Sequence, residues 1–171
     1  MAVREILLLG NPKLYVSCEP VGFDERGDLE PVVADLHDTM MDFRKRYGVG
    51  RAIAAPQIGV MKRLIYMHID GPTVFINPEL LDKSEDMMVV WDDCMSFPDL
   101  LVRVQRHRTC TIRYLDMNWR ENQMRLENDL SELLQHEYDH LDGILAVSRA
   151  MDTHAFALKS QKPLLADPSG Q

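Results

Sequence analysis

Residues 133–143 read LLQHEYDHLDG, where His136 and His140 stand four apart and Glu137 directly follows the first. On a helix that spacing places both imidazoles one turn apart on one face, so they can reach a single ion. Glu137 is rotated by about 100° from His136. It cannot share that ligand position, but it can lean over a water on the same metal. That is the division of labour behind the H-E-x-x-H pattern of metal-dependent hydrolases. So short a pattern also arises as one polar face of a solvated helix. Leu130, Leu133, Leu134 and Leu141 weigh against that reading: they bury part of the helix, and a buried glutamate beside two histidines needs a reason. A catalytic centre needs a third protein ligand and an open position for water. WDDCMSFP (91–98) offers Cys94, which binds metal as thiolate. A lone cysteine is more often a small core residue, the reading that fits Cys18 and Cys110.

A chain of 171 residues, 46% apolar and 27% charged, predicts one soluble globular domain with a substantial core. No apolar run approaches the length of a membrane span, and MAVREILLLG is too short for a secretory signal. Three widely spaced cysteines argue against a disulfide scaffold, so a cytoplasmic setting is expected. The net charge of −8 disfavours direct nucleic-acid binding. RVQRHR (103–108), which follows and alternates with Leu101, Val102 and Val104, reads as an exposed strand edge or a charged site wall.

GDLEPVVADLHDTMMDFRKRYG sets Leu29, Val32, Val33, Leu36, Met40 and Phe43 at helical spacing. Pro31 suits its first turn, Asp28 its cap and Gly48 its end; His37 falls off the apolar stripe and is expected at the surface. The runs RLIYMHID, TVFINPEL, LLVRVQR and TCTIRYLD read as strands, and LDMNWREN as a hairpin turn. A second helix is expected from about Asn128 to Leu141, capped at Gly143. Residues 1–150 are expected to form one catalytic domain and 151–171 a partly ordered tail, QKPLLADPSGQ being loosely packed. This order is α+β, with antiparallel sheets around a central helix carrying the histidines.

GRAIAAPQIG (50–59), DDCMS (92–96) and QHEYDHLDG (135–143) resemble, in this order, the three signature segments of the peptide deformylase family. ILLLGNPKL and FINPEL support the match, which spans residues 5–147. The resemblance implies Cys94, His136 and His140 as ligands of one divalent metal, Fe(II) by preference with Zn, Ni or Co able to occupy the site. Glu137 would move the proton, and the Gln57 amide with the Met95 backbone N–H would form the oxyanion hole. Asp139 would orient a ligand histidine, and Arg106 would pair with Asp92. The substrate implied is the N-terminal formyl-methionine of newly made polypeptides, with transient ribosome association as a further expected partner.

The chain departs from the family pattern at several of these positions. Ala52 stands for a glycine where the substrate backbone runs, with Ile53 beside it. There a Cβ narrows the groove or, at positive φ, adds strain of about 1 kcal/mol. Asp92 and Asp93 replace Glu and Gly, and Asp93 brings charge next to a ligand. Arg51, Asp129 and Glu132, with Leu133 alongside, occupy positions that in the family line the methionine pocket, and three of these four are charged. Asp129 and Glu132 can be read as favouring the helix dipole and Arg51 as snorkelling to solvent. Alternatively the three make a polar pocket that favours a polar or charged N-formyl substrate. A third reading is a non-catalytic, metal-binding relative.

Overall fold

A computed structural model describes residues 2–167. Helix α1 (Leu29–Tyr47) begins after a 3-10 turn at Phe23–Asp28 and ends where Gly48 turns left-handed at φ 73°. Asp28 makes no side-chain cap bond. The chain then forms β1 (Ala52–Ala54), β2 (Leu64–His68), β3 (Pro72–Leu81), β4 (Met87–Cys94), β5 (Phe97–His107), β6 (Thr109–Leu115) and β7 (Glu121–Glu127). Helix α2 (Asn128–Leu141) and a short β8 (Phe156–Leu158) follow. All strand pairs are antiparallel, in a five-stranded sheet of order β1-β2-β3-β6-β7 and a three-stranded sheet of order β4-β5-β8.

The period-two alternation of the strands divides the core between the helices. Ile53, Leu64, Tyr66 and Ile76 face Leu36, Met40 and Phe43 of α1. The residues between them, Ala52, Ala54, Ile65, Met67 and Phe75, face Leu134 and Leu141 of α2. Covered on both faces, β2 reads as a nearly unbroken apolar run, which is why it was legible as a strand. β3 bulges between Ile76 and Glu79. Asn77 takes the left-handed conformation there, accepting from the Val21 N–H at 2.8 Å and donating to its carbonyl at 2.9 Å.

Several expectations need correction. His37 is only partly at the surface: it is half-buried, with Nδ1 2.7 Å from the Tyr66 hydroxyl. RVQRHR carries β5 to its end at His107 and pairs along one side with β4, while β8 covers the other side only at Leu100–Val102, before this stretch begins. The strands β1, β4 and β8 were not marked by sequence pattern, and β7 was marked only by the hairpin turn that precedes it. The segment beyond residue 150 contributes β8, in register with Leu100–Val102, and a 3-10 turn at Lys159–Leu164 with Leu164 largely exposed; residues 168–171 lie outside the described part.

Gly143 ends α2 at φ 70°, and a Cβ there would meet the backbone C and O of Tyr15 at 2.6 Å. Gly59, at φ 82°, has open space around the same position. Gly59→Ala should therefore cost only the left-handed penalty of about 1–2 kcal/mol. Gly143→Ala should lower the thermal midpoint at least twice as far, because the Tyr15 segment must move. Equal midpoints for the two variants would refute the close approach.

Candidate metal centre and cleft

On α2, His136, Glu137 and His140 are all buried, and the end of β4 brings Cys94 against them. Strand alternation turns Asp92 and Cys94 inward and leaves Asp93 at the rim. Candidate metal-binding atoms of Cys94, His136 and His140 lie within 4.8 Å of one another. Cys94 Sγ stands 3.3 Å from His140 Nε2. Bonds of about 2.3 Å to sulfur and 2.1 Å to nitrogen would set two tetrahedral donors about 3.6 Å apart, so this spacing accommodates an ion. Glu137 Oε2, in the same buried group, has no hydrogen-bond partner. A thiolate, two imidazoles and an uncommitted carboxylate suit a borderline divalent metal.

The surroundings fix the donors' orientation. Asp92 Oδ1 faces His136 Nδ1 at 2.9 Å, leaving Nε2 to point elsewhere. Arg106 Nη2 donates to the other Asp92 oxygen at 2.8 Å, and Arg106 Nη1 donates to Asp139. Asp139 is also held by Arg149 at 2.6 and 2.7 Å. The expected role of Asp139 is thereby corrected: its carboxylate serves two arginines, and Asp92 is the carboxylate that meets a histidine.

Gln57 lies in a buried 3-10 turn behind β1. Its Oε1 accepts the Ala54 N–H at 2.9 Å, which turns Nε2 towards Ser96 Oγ at 3.2 Å and Cys94 Sγ at 3.6 Å. Met95 is buried next to Cys94, and its Cε lies 3.0 Å from where a Cβ on Gly50 would stand.

Burial pushes the Glu137 carboxyl up to about 7. Burial, with the charge of His136, holds His140 well below an ordinary imidazole. Burial depresses His136 too, but Asp92 and then Cys94 outweigh it and pull that imidazole up. Burial works against the charge on Asp92, yet His136 and Arg106 hold it well below the usual carboxylate range. Glu132 is raised to about 8 by burial and the nearby charge of Asp92.

A cleft of about 180 Å³ opens onto Cys94, Met95, His136 and Glu137. Of the residues expected to contact substrate, Arg51, Ala52, Asp93, Glu132 and Leu133 line it. Ile53 does not: it is fully buried in the core against α1. Asp129 does not line it either, but is exposed and clasps both terminal nitrogens of Arg51. Ala52 is absent from the positive-φ residues, so its Cβ narrows the groove without backbone strain. Sequence reading missed Phe43, Val49, Gly50 and Lys159 as lining residues. Lys159 arrives through the pairing of β8 with β5 and holds Asp93 at 2.8 Å, a contact 66 positions apart that no local pattern announces.

This geometry meets independent likenesses. Residues 3–155 match the Polypeptide deformylase family. A peptide deformylase of Erythrobacter litoralis is 34% identical, over 96% of this chain and 95% of that protein. The crystal structure of peptide deformylase from Thermotoga maritima superposes with a TM-score of 0.81 at 28% identity, over 89% of this chain and 100% of that one. The Met-ala-ser-bound class I type b enzyme of Acinetobacter baumannii gives 0.80 at 28% identity, over 87% and 100%. No described helix is long and apolar enough to cross a membrane. With a family match over most of its length and the three signature segments folded around one buried donor set, the chain belongs to the polypeptide deformylase family.

Proposed function

We propose that Cys94, His136 and His140 hold one divalent metal, Fe(II) by preference with Zn, Ni or Co as substitutes, and that Glu137, Gln57 and Met95 perform the deformylation beside it. The chain is a metal-dependent amidase that removes the N-formyl group from polypeptides. The observation that carries the residue roles is Glu137, a buried carboxylate with an unpartnered oxygen beside three converging donors.

When bound, the metal would supply Lewis acidity to the formyl carbonyl and make a water easier to deprotonate. Glu137 takes the proton as the water oxygen bonds to the formyl carbon, then gives it to the leaving nitrogen as the C–N bond breaks. Formate and a free amine result. Gln57 Nε2 donates to the oxygen that gains charge, and the Ala54 N–H on Oε1 keeps the amide from turning its oxygen inward. The Met95 backbone N–H is the second donor in this reading. Asp92 keeps His136 aimed, and Arg106 keeps Asp92 ionised. A metal kept only for structure would leave Glu137 and Gln57 without a purpose. A cytoplasmic setting and a transient encounter with the ribosome fit such a substrate.

The test is formate release from formyl-Met-Ala-Ser by protein purified without oxygen and loaded with Fe(II). Turnover is expected, stopped by a chelator and restored by added metal. No formate at full metal occupancy from any formyl peptide would overturn the reading.

A further inference from the structure

We propose that the cleft of this chain favours N-formyl substrates whose first side chain is cationic over formyl-methionine, with Glu132 as the counter-charge; this rests on the deformylase reading above. Glu132 sits one helical turn before His136 on the same face of α2 and lines the cavity that Cys94, His136 and Glu137 share. A formyl carbon placed at that centre puts the side chain of the residue bearing it into the same cavity.

The charges lining the cleft decide what that side chain meets. Both cations are already engaged, Arg51 with both oxygens of Asp129 and Lys159 with Asp93. Asp92 is committed to Arg106 and His136. Glu132 has no ion-pair or hydrogen-bond partner among the described residues. It is half-buried, and burial with the charge of Asp92 holds its carboxyl up to about 8, so a cation brought beside it would draw it into the charged form. A methionine thioether entering the cleft would strip water from Glu132 and return nothing. A lysine or arginine would lay its methylenes along Leu133, Phe43 and Val49 and bring its charge to Glu132. An acidic side chain would bring no counter-charge to Glu132, and the two carboxyls could share the cavity only with one of them protonated, Arg51 and Lys159 being already paired.

The experiment compares kcat/KM for formyl-Lys-Ala-Ser, formyl-Met-Ala-Ser and formyl-Glu-Ala-Ser in the Fe(II) enzyme and in Glu132→Gln. Calorimetry of the product tripeptides Lys-Ala-Ser and Met-Ala-Ser gives a readout independent of turnover. The lysine peptide is expected to lead methionine by about tenfold or more, as a half-buried ion pair allows, with the glutamate peptide slowest. Added salt should erode the lysine product's affinity more than methionine's. Glu132→Gln should abolish both the preference and the salt effect, and circular dichroism shows whether it folds. A methionine preference in the unaltered enzyme, or a lysine preference that survives Glu132→Gln, overturns the proposal while leaving the deformylase reading standing. Formate from none of the three would overturn both.

Discussion

Glu137→Gln is expected to lower kcat for formate release by about 10²–10⁴-fold, the usual contribution of a positioned proton carrier. Bound metal should stay at the level of the unaltered protein. The substitution keeps shape and hydrogen-bonding capacity but removes the site that accepts a proton. It leaves the donor atoms of Cys94, His136 and His140 in place. Metal content and KM should therefore change little, so the loss appears in kcat. A variant that retains more than a tenth of the rate at full metal occupancy would show that some other group moves the proton. Parallel losses of metal and rate would instead make Glu137 a structural support of the donor set.

Arg106→Leu should be the most damaging single change to stability away from the donors. Arg106 is 3% exposed, and its two carboxylate partners, Asp92 and Asp139, are 2% and 8% exposed. Removing the cation strands buried negative charge, which typically costs about 3–5 kcal/mol. For a chain of this size that corresponds to a fall in thermal midpoint on the order of 10 °C. Arg149 still serves Asp139 and His136 still faces Asp92, which places the loss toward the lower end of the range. Arg108 pairs with Asp86 at the surface, so Arg108→Leu should cost less than about 1 kcal/mol. Equal midpoints for the two leucine variants would refute the assignment of Arg106 as the charge that permits Asp92 to be buried.

The elements that were legible share one property: their pattern is local and strong. Helix α2 was expected from about Asn128 to Leu141 and spans those residues, because four leucines, an acidic first turn and a closing glycine coincide. The hairpin at LDMNWREN forms because Asp116 Oδ1 accepts the N–H groups of Asn118 and Arg120. β7, ENQMRLE, is mostly exposed and polar, so nothing in its composition marks a strand until β6 pairs with it. β1 has three residues, all buried, too few to show a period.

The candidate site divides in the same way. Cys94 falls within one recognisable segment and His136 and His140 within another, and the structure brings their donor atoms together. Ile53 was expected at the substrate because it adjoins Ala52, yet alternate positions on a strand face opposite ways, and its side chain joins the core under α1. Asp139 was assigned to a histidine by analogy. Which carboxylate meets which ring depends on how β4 and β5 dock against α2, and that is a tertiary fact.

Gln57, Cys94 and the two histidines come from separate stretches, carried by the turn after β1, the end of β4 and the middle of α2. None of these segments can assemble the centre without the others, so an incompletely folded chain presents scattered donors with no geometry in common. An ion that needs all three protein ligands binds the finished fold and not its precursors, and shifts the balance towards it by mass action. Metal supply would thereby act on the amount of intact protein as well as on its rate, and scarcity would appear first as a chain more easily digested by proteases.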